Sequence, residues 1–310
     1  MNGMSRLYLI TGFLGAGKTT FLRNFIRLFP GERIQLIINE FGKEGVDGVL
    51  LADLDARMRE IAGGSVFCSC RMDQFEKALG EVSQTQADVI IVEASGLSNP
   101  TGVRKLFREG SRFPGITYRG ALCLIDAVRF PKQYATARTC VKQLASSDVA
   151  VVNKTDRATG EQLEATLRLI RGQRPEIAVL ETSYGQIGPG VLDLLARAQA
   201  QPSADMPLTA DLTLIKLTVR LRPGIPAEDL RHFIEMFIEN TFRVKGFLRT
   251  DEGMVLADCV GSVVTLTPWM KDVPEEKVGC LTVLSGSGMP VRRAVREAVR
   301  WYPEQVLCVE

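Results

Sequence analysis

A glycine-rich segment near the start of the chain has the residue types that bind phosphate. Gly12, Gly17, Lys18 and Thr19 satisfy the spacing G-x-x-x-x-G-K-[ST] between an apolar run and a helical pattern. Backbone N–H groups of such a turn point inward, and the helix N-terminus adds partial positive charge. Lys18 would contact the terminal phosphates, and the Thr19 hydroxyl would bind Mg²⁺. We therefore predict a P-loop whose nucleotide-binding residues are Gly12, Leu14, Gly15, Ala16, Gly17, Lys18, Thr19 and Thr20.

A second polar segment directly follows the apolar run 149–152. Asn153-Lys154-Thr155-Asp156 matches N-K-x-D, a guanine-recognition pattern. The carboxylate of Asp156 can accept from the guanine N1–H and exocyclic amine, which adenine lacks on that edge. We predict that Asn153, Lys154 and Asp156 contact the base of GTP or GDP, which disfavours the alternative of an ATP-dependent kinase. Thr182, after the next predicted strand, is a candidate for a backbone contact to the base or a simple cap.

Two further strand ends carry candidate catalytic residues. Glu93 ends an apolar run and is followed by Ala94-Ser95-Gly96, where P-loop enzymes keep an acidic residue and a glycine near the γ-phosphate. We predict that Glu93 holds Mg²⁺ or its water, and that the Gly96 N–H contacts the γ-phosphate until hydrolysis. A cap of the next helix is the alternative role for Glu93. Asp126 ends another apolar run, where a strand-end cap and a role in the site are equally open.

Cys68 and Cys70 form a short cysteine cluster. Two thiolates one residue apart can bind a soft or borderline cation such as Zn²⁺, but tetrahedral coordination needs further ligands. Glu40, which follows a predicted buried strand, is the candidate that we add to them. The alternative interpretation is two incidental thiols in a loop. A redox pair fits less well because its usual motif separates the cysteines by two residues.

The pattern of apolar runs predicts an α/β fold that positions these residues. Strands alternate with helices, which is typical of a mainly parallel P-loop NTPase sheet with helices on both faces. The predicted strands are 33–39, 87–93, 120–126, 148–153 and 177–182, after the P-loop strand, and the predicted helices are 18–29, 73–83, 129–145 and 160–170. A glycine-bearing loop at 39–48 has the place and composition of a mobile switch.

A stretch of small, polar and proline residues around 199–207 predicts a linker. We place the domain boundary there, with a P-loop GTPase domain at 1–204 and a small α+β domain at 205–310. In the second domain we expect strands at 212–220 and 278–285, two or three short strands between 244 and 267, an amphipathic helix at 227–242 and a last helix at 289–302.

Composition limits the classes of function. The chain has 310 residues, of which 45% are hydrophobic, and a net charge of +2 without a long single-sign run, so nothing demands a nucleic-acid partner. No signal-peptide pattern and no run of membrane-spanning length is present, so we expect no membrane association and a cytoplasmic location. Seven cysteines occur. For Cys123, Cys259 and Cys280, which lie inside apolar runs, we expect a role as small core hydrophobes.

The sequence resembles the CobW-like family of P-loop GTPases, relatives of the urease and hydrogenase nickel-insertion GTPases. The resemblance covers nearly the whole chain and is carried by the P-loop, by Asn39-Glu40-Phe41-Gly42 with Asp47, by Glu93-Ala94-Ser95-Gly96, by Asn153-Lys154-Thr155-Asp156 and by the C-terminal domain. It implies slow GTP hydrolysis coupled to metal handling. It also implies a metal site, linked to the nucleotide, that is formed by a glutamate and a Cys-x-Cys-Cys motif.

The chain departs from this family pattern at two points. Arg71 replaces the third cysteine of the motif, cannot ligate a metal and adds positive charge beside Cys68 and Cys70. The histidine-rich stretches of many relatives are missing, because the chain has a single histidine, His232, which lies off the apolar stripe of its helix and is expected at the surface.

The sequence leads to two hypotheses about function. The first is a GTPase that couples its switch to the delivery of Zn²⁺ or Co²⁺, or to the activation of a metal- or corrinoid-dependent client protein. The alternative is a nucleotide-gated client-binding protein that remodels its partner without metal transfer. A nucleotide-dependent dimer is a further arrangement that we consider.

Overall fold

The computed structural model describes residues 4–40, 56–62, 72–98, 100, 103–108, 113, 115–199, 214–286 and 288–310. The chain divides into two compact units, Met1–Ala210 and Asp211–Glu310. The domain boundary that the sequence suggests, after residue 204, falls in the stretch 200–213, outside the described residues.

The first unit is built on a parallel sheet. Its strands are β1 (Ser5–Gly12), β2 (Ile34–Glu40), β3 (Ala56–Ala62), β4 (Val89–Glu93), β5 (Ile116–Asp126), β6 (Val149–Asn153) and β7 (Ala178–Glu181). Among the described residues they form one seven-stranded sheet in the order β3-β2-β4-β1-β5-β6-β7, and each pairing is parallel. The P-loop strand β1 therefore lies in the centre of the sheet, between β4 and β5.

Helices connect these strands. They are α1 (Lys18–Ile26), α2 (Met72–Ser83), α3 (Val103–Arg108), α4 (Phe130–Thr136), α5 (Arg138–Ala145), α6 (Gly160–Gln173) and α7 (Gly190–Gln199). The single helix predicted at 129–145 is wrong, because the backbone of Ala137 is extended (φ −131°, ψ 108°) and separates α4 from α5. Helix α6 begins with a capping box in which the Thr159 hydroxyl accepts from the Gln162 N–H and the Gln162 side chain accepts from the Thr159 N–H.

Side chains of β1 alternate between two apolar cores, one on each face of the sheet. Tyr8 and Ile10 belong to a core that includes residues of α1 and α7, whereas Leu7 and Leu9 belong to a core that includes residues of α2. A strand that is buried on both faces is typical of parallel sheets covered by helices. This arrangement fixes the P-loop strand in the middle of the unit.

An aromatic cluster holds α1 against β1. The ring of Tyr8 lies 5.4 Å from the rings of both Phe25 and Phe29, and Phe21 stacks on Phe25 at 5.8 Å. Phe21 and Phe25 are fully buried. Because the P-loop joins β1 to α1, this packing fixes the two ends between which the loop must turn.

The second unit is an α+β structure. Its strands are β8 (Leu214–Leu221), β9 (Arg243–Thr250), β10 (Gly253–Val260), β11 (Leu266–Pro268), β12 (Cys280–Gly286) and β13 (Val306–Val309), and its helices are α8 (Ala227–Ile238) and α9 (Val291–Trp301). The described strands pair antiparallel in the order β11-β10-β9-β12-β8-β13. Both helices share one apolar core with the sheet. The predicted fold class, a mainly parallel α/β sheet with a small α+β unit, is confirmed.

Several details differ from the sequence prediction. Strands β3 and β13 and helices α3 and α7 were not predicted. Cys123 and Cys259 are buried as expected, but Cys280 is only partly buried. His232 is exposed, as predicted.

No helix in the described part of the chain has both the length and the apolar character that a membrane span needs.

Candidate nucleotide-binding site

The predicted nucleotide-binding residues follow neighbouring strands at one edge of the parallel sheet. Glu93 pairs in register with Ile10, two residues before Gly12, and Gly12 pairs with Leu124, two residues before Asp126. Asp126 in turn pairs with Asn153. Since the carboxyl ends of parallel strands meet at one edge, the P-loop, the Glu93–Gly96 segment and the N-K-x-D segment lie side by side.

The path of the P-loop requires its glycines. Gly12, Gly15 and Gly17 have φ values of +139°, +76° and +94°, which L side chains rarely adopt. A Cβ atom on Gly17 would lie 2.5 Å from Asn153 Nδ2, and one on Gly12 would lie 2.3 Å from the main-chain oxygen of Leu124. The loop is therefore a tight cradle in contact with the strands on which the other motifs lie, and it fits a phosphate group.

The predicted phosphate-binding side chains begin helix α1. Lys18 and Thr19 are half-buried and Thr20 is exposed. The Lys18 ammonium group lies 3.4 Å from the main-chain oxygen of Phe13, within the loop that it closes. Leu14 and Ala16, between the glycines, are buried.

Asn153 joins the base motif to the P-loop. Its Nδ2 donates to the main-chain oxygen of Ala16 at 2.9 Å, and its Oδ1 accepts from the Gly185 N–H at 3.0 Å. The side chain is 2% exposed, so both hydrogen bonds are made away from water. Asn153 thus holds together the P-loop and the loop that follows β7.

Lys154 makes a second link between the two motifs. Its ammonium group donates to the main-chain oxygen of Gly15 and to Asp126 Oδ2, the latter at 2.8 Å. Its backbone adopts φ +65°, which is uncommon for a residue with a side chain. Asp126 is a strand-end cap, because its Oδ1 accepts from the N–H groups of Val128 and Arg129, and its role in the site stays a prediction.

Asp156, whose carboxylate is predicted to select guanine, lies on a short 3-10 turn, Thr155–Arg157. Its side chain is 29% exposed, and the nearest ionic partner, Arg157 Nε, is 3.9 Å from Oδ2. The Asp156 N–H donates to Ser183 Oγ at 3.1 Å, so the loop after β7 fixes this turn. The carboxylate is accessible to a ligand while its backbone is held.

Thr182 makes hydrogen bonds within the protein, and its predicted contact to the base stays a prediction. Its N–H donates to the main-chain oxygen of Val152, and its main-chain oxygen accepts from the N–H and the hydroxyl of Thr155. Its own hydroxyl donates to the main-chain oxygen of Gln186. Both backbone groups of Thr182 therefore bind within the protein, where they position the turn that carries Asp156.

Glu93 and Gly96 lie beside the P-loop. Glu93 is 5% exposed at the end of β4. A Cβ atom on Gly96 would lie 2.8 Å from the main-chain nitrogen of Leu14, so only a glycine allows this approach of the two segments. The segment that begins at Glu93 therefore lies against the predicted phosphate site.

Gln143, on helix α5, is a residue of this region that the sequence did not single out. Its Nε2 donates to the main-chain oxygens of Gly96 and Ser98 at 3.1 and 3.0 Å, and the residue is 1% exposed. A glutamine in an amphipathic helix looks like a surface residue in a sequence. Only the packing of α5 shows that it anchors the Glu93–Ser98 segment.

The site also perturbs a thiol beside the P-loop strand. Cys123, which pairs with Thr11, is fully buried on β5. Burial raises the pKa of its thiol to about 12, although a hydrogen bond from Ser147 and the positive charge of Lys18 act in the opposite direction. Cys123 is therefore an inert core thiol at neutral pH.

The predicted metal ligands lie largely outside the described residues. This holds for Cys68 and Cys70, and for the side chain of Glu40. The backbone of Glu40 ends β2 and pairs in register with Ala62, the last residue of β3. Within the described residues, no group of three or more His, Cys, Asp and Glu side chains is placed to hold a metal ion.

The fold and the cradle at the carboxyl edge define a P-loop nucleotide-binding protein. Residues 6–181 match the family model described as the CobW/HypB/UreG nucleotide-binding domain. Because this match covers more than half of the chain, the protein belongs to that family.

Individual relatives agree with this assignment. The chain is 33% identical to the zinc chaperone YeiR of Escherichia coli over 203 residues, which are 64% of this chain and 61% of the relative. It is 29% identical to the zinc chaperone CobW of Pseudomonas aeruginosa over 226 residues, 62% of this chain and 60% of the relative. The chain thus spans about three fifths of the length of these relatives.

A solved structure, the zinc-bound YjiA GTPase of Escherichia coli, is similar over 97% of this chain and 99% of its own, with a TM-score of 0.47 and 20% identity.

Proposed function

We propose that this protein binds GTP with Mg²⁺, hydrolyses it to GDP and phosphate, and uses the switch to deliver a metal ion to a client protein. The observation that carries the proposal is the register that brings the P-loop, the Glu93–Gly96 segment and the N-K-x-D segment to one edge of the sheet. Each of the three segments supplies one part of the chemistry that GTP needs.

The base is read by Asp156. Its carboxylate accepts from the guanine N1–H and exocyclic amine, and it is accessible beside a turn that Ser183 fixes. Asn153 and Lys154 act indirectly, since their side chains bind main-chain oxygens of the P-loop. They keep base and phosphate sites at a constant separation.

The phosphates are bound by the P-loop and the start of α1. The glycine path aims backbone N–H groups at the phosphates, and the Lys18 ammonium group neutralises the charge that develops on them. The Thr19 hydroxyl and Glu93 would hold Mg²⁺, which supplies further positive charge at the phosphate oxygens. Catalysis then rests on positioning and charge stabilisation.

The nucleotide state is sensed by the segment after β4. The N–H of Gly96 binds the γ-phosphate and loses this partner when the bond to the γ-phosphate is cleaved. Gly96 suits this task because it already lies against Leu14 of the P-loop. Gln143 holds the main-chain oxygens of Gly96 and Ser98 and so fixes this segment.

The cargo site combines Glu40 with Cys68 and Cys70. Glu40 and Ala62 are paired in register, and Cys68 follows Ala62 by only six residues. The chain that leads to Cys68 and Cys70 therefore leaves β3 at a residue paired with Glu40, and six residues span at most about 20 Å. A carboxylate and two thiolates suit Zn²⁺. The names of the zinc chaperones YeiR and CobW support zinc as the cargo.

This coupling can be tested by titrating Zn²⁺ and Co²⁺ into the GTP-bound and GDP-bound protein. We expect the two states to differ in metal affinity, and Cys68→Ala to abolish the difference. Cys280→Ala, which removes a partly buried cysteine of the second unit, serves as the matched control. Equal metal affinity in both states, unchanged by Cys68→Ala, would contradict the proposal.

A second candidate function is supported by Arg71, which replaces a potential third thiolate by a cation. In this case the nucleotide state controls binding of the client without metal transfer. A pull-down with a purified candidate client and GTP-loaded or GDP-loaded protein separates the two functions. Nucleotide-dependent capture by the Cys68→Ala/Cys70→Ala variant supports the second, and its loss supports the first.

A further inference from the structure

The outer surface of α8 and α9 carries separated charges, and we call it the paired-helix face. Both helices bury an apolar stripe against the sheet of the second unit, with Phe233 and Val295 fully buried. Most of the remaining side chains are exposed. Four acidic residues and one arginine, which are Glu228, Asp229, Glu235, Glu239 and Arg231, belong to α8 and its C-cap, whereas α9 carries four arginines and one glutamate.

Three arginines of α9 form one row. Arg292, Arg296 and Arg300 are spaced four residues apart, so they lie above one another on the helix, and all three are exposed. None of them makes an ion pair with a described residue, whereas their neighbour Arg293 pairs with Glu297 at 2.9 Å. The row is an unneutralised positive stripe.

This stripe weakens the isolated helix. Like charges four residues apart repel one another, and no acidic residue occupies the first turn of α9, where the helix dipole disfavours cations such as Arg292. A local charge pattern that opposes the structure it lies in points to a functional reason elsewhere. An anionic surface placed on the row would remove both costs.

Helix α8 offers a matching acidic row. Glu228, Glu235 and Glu239 are separated by seven and four residues, which places them on one side of the helix, and all are exposed. Glu228 and Glu235 make no ion pair with a described residue. The side of α8 that carries Phe233 and Asp229 faces Tyr302 after α9, so the acidic row lies on a different side from this contact.

One large apolar side chain accompanies the charged rows. Met236 of α8 is 41% exposed and precedes Glu239 of the acidic row by three residues, so the two lie close together. Exposed methionine is enriched at protein interfaces. The face thus combines an apolar anchor with two rows of opposite charge.

We propose that the paired-helix face docks onto the same face of a second copy of this chain. In a two-fold arrangement the arginine row of α9 lies against the acidic row of the partner's α8, and each contact occurs twice. A polyanion such as a nucleic acid would meet the acidic row as well as the basic one. The self-complementary pattern therefore favours a second copy over a polyanionic partner, and it does not involve the nucleotide site.

Association of the full-length protein tests this proposal. We expect sedimentation velocity at low salt to show a concentration-dependent equilibrium between the 34.1 kDa monomer and a dimer of twice that mass. An interface formed by two helices from each copy buries a small area, so the dissociation constant of the dimer should be roughly micromolar. Association should weaken towards 1 M NaCl, where the Debye length is about 3 Å.

Charge reversal on each row supplies the decisive comparison. Arg296→Glu/Arg300→Glu and Glu228→Lys/Glu235→Lys should each raise the dimer dissociation constant roughly 30-fold or more. An equimolar mixture of the two variants should associate again, because each row then meets a row of opposite charge. Lys271→Glu, an exposed reversal outside the two helices, should have no effect. Retained GTP binding and a single cooperative thermal unfolding transition show that the variants are folded.

Three outcomes would overturn the proposal. They are a wild-type protein that stays monomeric up to roughly 200 μM, a dimer that survives Arg296→Glu/Arg300→Glu, and a mixture that associates no better than its components. Binding of poly-glutamate to such a monomer would show that the face serves an acidic partner instead.

Discussion

The ammonium group of Lys154 lies 2.8 Å from Asp126 Oδ2 while it also donates to the main-chain oxygen of Gly15. Asp126 is 2% exposed and caps its own turn through Oδ1. One buried carboxylate thus connects three segments, namely the end of β5, the base-binding motif and the P-loop. We therefore expect Asp126 to position the predicted nucleotide site.

Replacing Asp126 separates its two roles. In Asp126→Asn the amide oxygen can still accept from Val128 and Arg129, but the charge that faces Lys154 is lost. We expect GTP affinity to fall about tenfold because a half-buried ammonium group loses its partner. Isothermal titration calorimetry measures the affinity. Asp126→Ala loses the cap too, so it should also lower the melting temperature. If Asp126→Asn kept the wild-type GTP affinity, Lys154 would hold the main-chain oxygen of Gly15 without the charge of Asp126.

The specificity assigned to Asp156 predicts a change of nucleotide. Asp156→Asn replaces a double acceptor by a side chain with a donor, which suits the C2 carbonyl group of xanthine better than the amine of guanine. We expect GTP affinity to fall roughly 100-fold and XTP affinity to rise, since the amide can pair with that carbonyl. Competition with a fluorescent nucleotide measures both. Equal loss of GTP and XTP binding would indicate a damaged loop.

Two glycine substitutions should affect different properties, one GTP binding and the other stability. Gly17→Ala places a methyl group 2.5 Å from Asn153 Nδ2 at φ +94°, so it should abolish GTP binding. Gly172 lies within helix α6, and a Cβ there meets nothing within 4 Å. Gly172→Ala should therefore stabilise the protein by roughly 0.5–1 kcal/mol without changing GTP binding. Thermal unfolding and nucleotide titration of both variants test the pair.

Loss of the Gln143 anchor should affect hydrolysis more than binding. Gln143→Leu removes two hydrogen bonds to the segment that carries Gly96, so we expect single-turnover GTP hydrolysis to slow about tenfold while GDP affinity is retained. Gln173 is the matched control. It ends α6 and donates to the main-chain oxygen of Val141 rather than to the Gly96 segment. Gln173→Leu should lower stability alone, and an equal loss of hydrolysis in both variants would contradict the assignment.

Thiol labelling should divide the cysteines by burial. The pKa of Cys123 is raised to about 12 and that of Cys259 to about 11, chiefly by burial, so both stay protonated at pH 8. We expect iodoacetamide to label Cys280 and Cys308 in the native protein, whereas Cys123, Cys140 and Cys259 react only after denaturation. Peptide mass spectrometry measures each site. Native labelling of Cys123 would reveal opening of β5.

The fold was predictable where the apolar pattern is strong. Buried strands such as β4 and β6 are continuous apolar runs, and the paired helices of the second unit have clear stripes. Strand β3 escaped prediction because Arg57, Arg59 and Glu60 interrupt its apolar pattern and it lies at the edge of the sheet. Strand β13 is a four-residue edge strand. Edge strands need less apolar sequence because one side lacks a neighbour.

The site was predictable where chemistry depends on local spacing. The P-loop and N-K-x-D motifs are contiguous, so their residue types identify them. The roles of Asp126 and Gln143 depend on contacts between segments distant in sequence, such as Lys154 with Asp126 or Gln143 with Gly96. Sequence spacing does not predict these contacts, because they depend on the order in which the strands pair in the sheet.

Three side chains hold main-chain oxygens of the P-loop in the protein itself, Lys18 at Phe13, Lys154 at Gly15 and Asn153 at Ala16. Two of these, Lys154 and Asn153, belong to the base-binding motif and can stay in place when phosphate binds. The shape of the cradle is thus a product of folding, so little conformational entropy is lost on binding. The cradle can therefore keep this shape while no phosphate is bound.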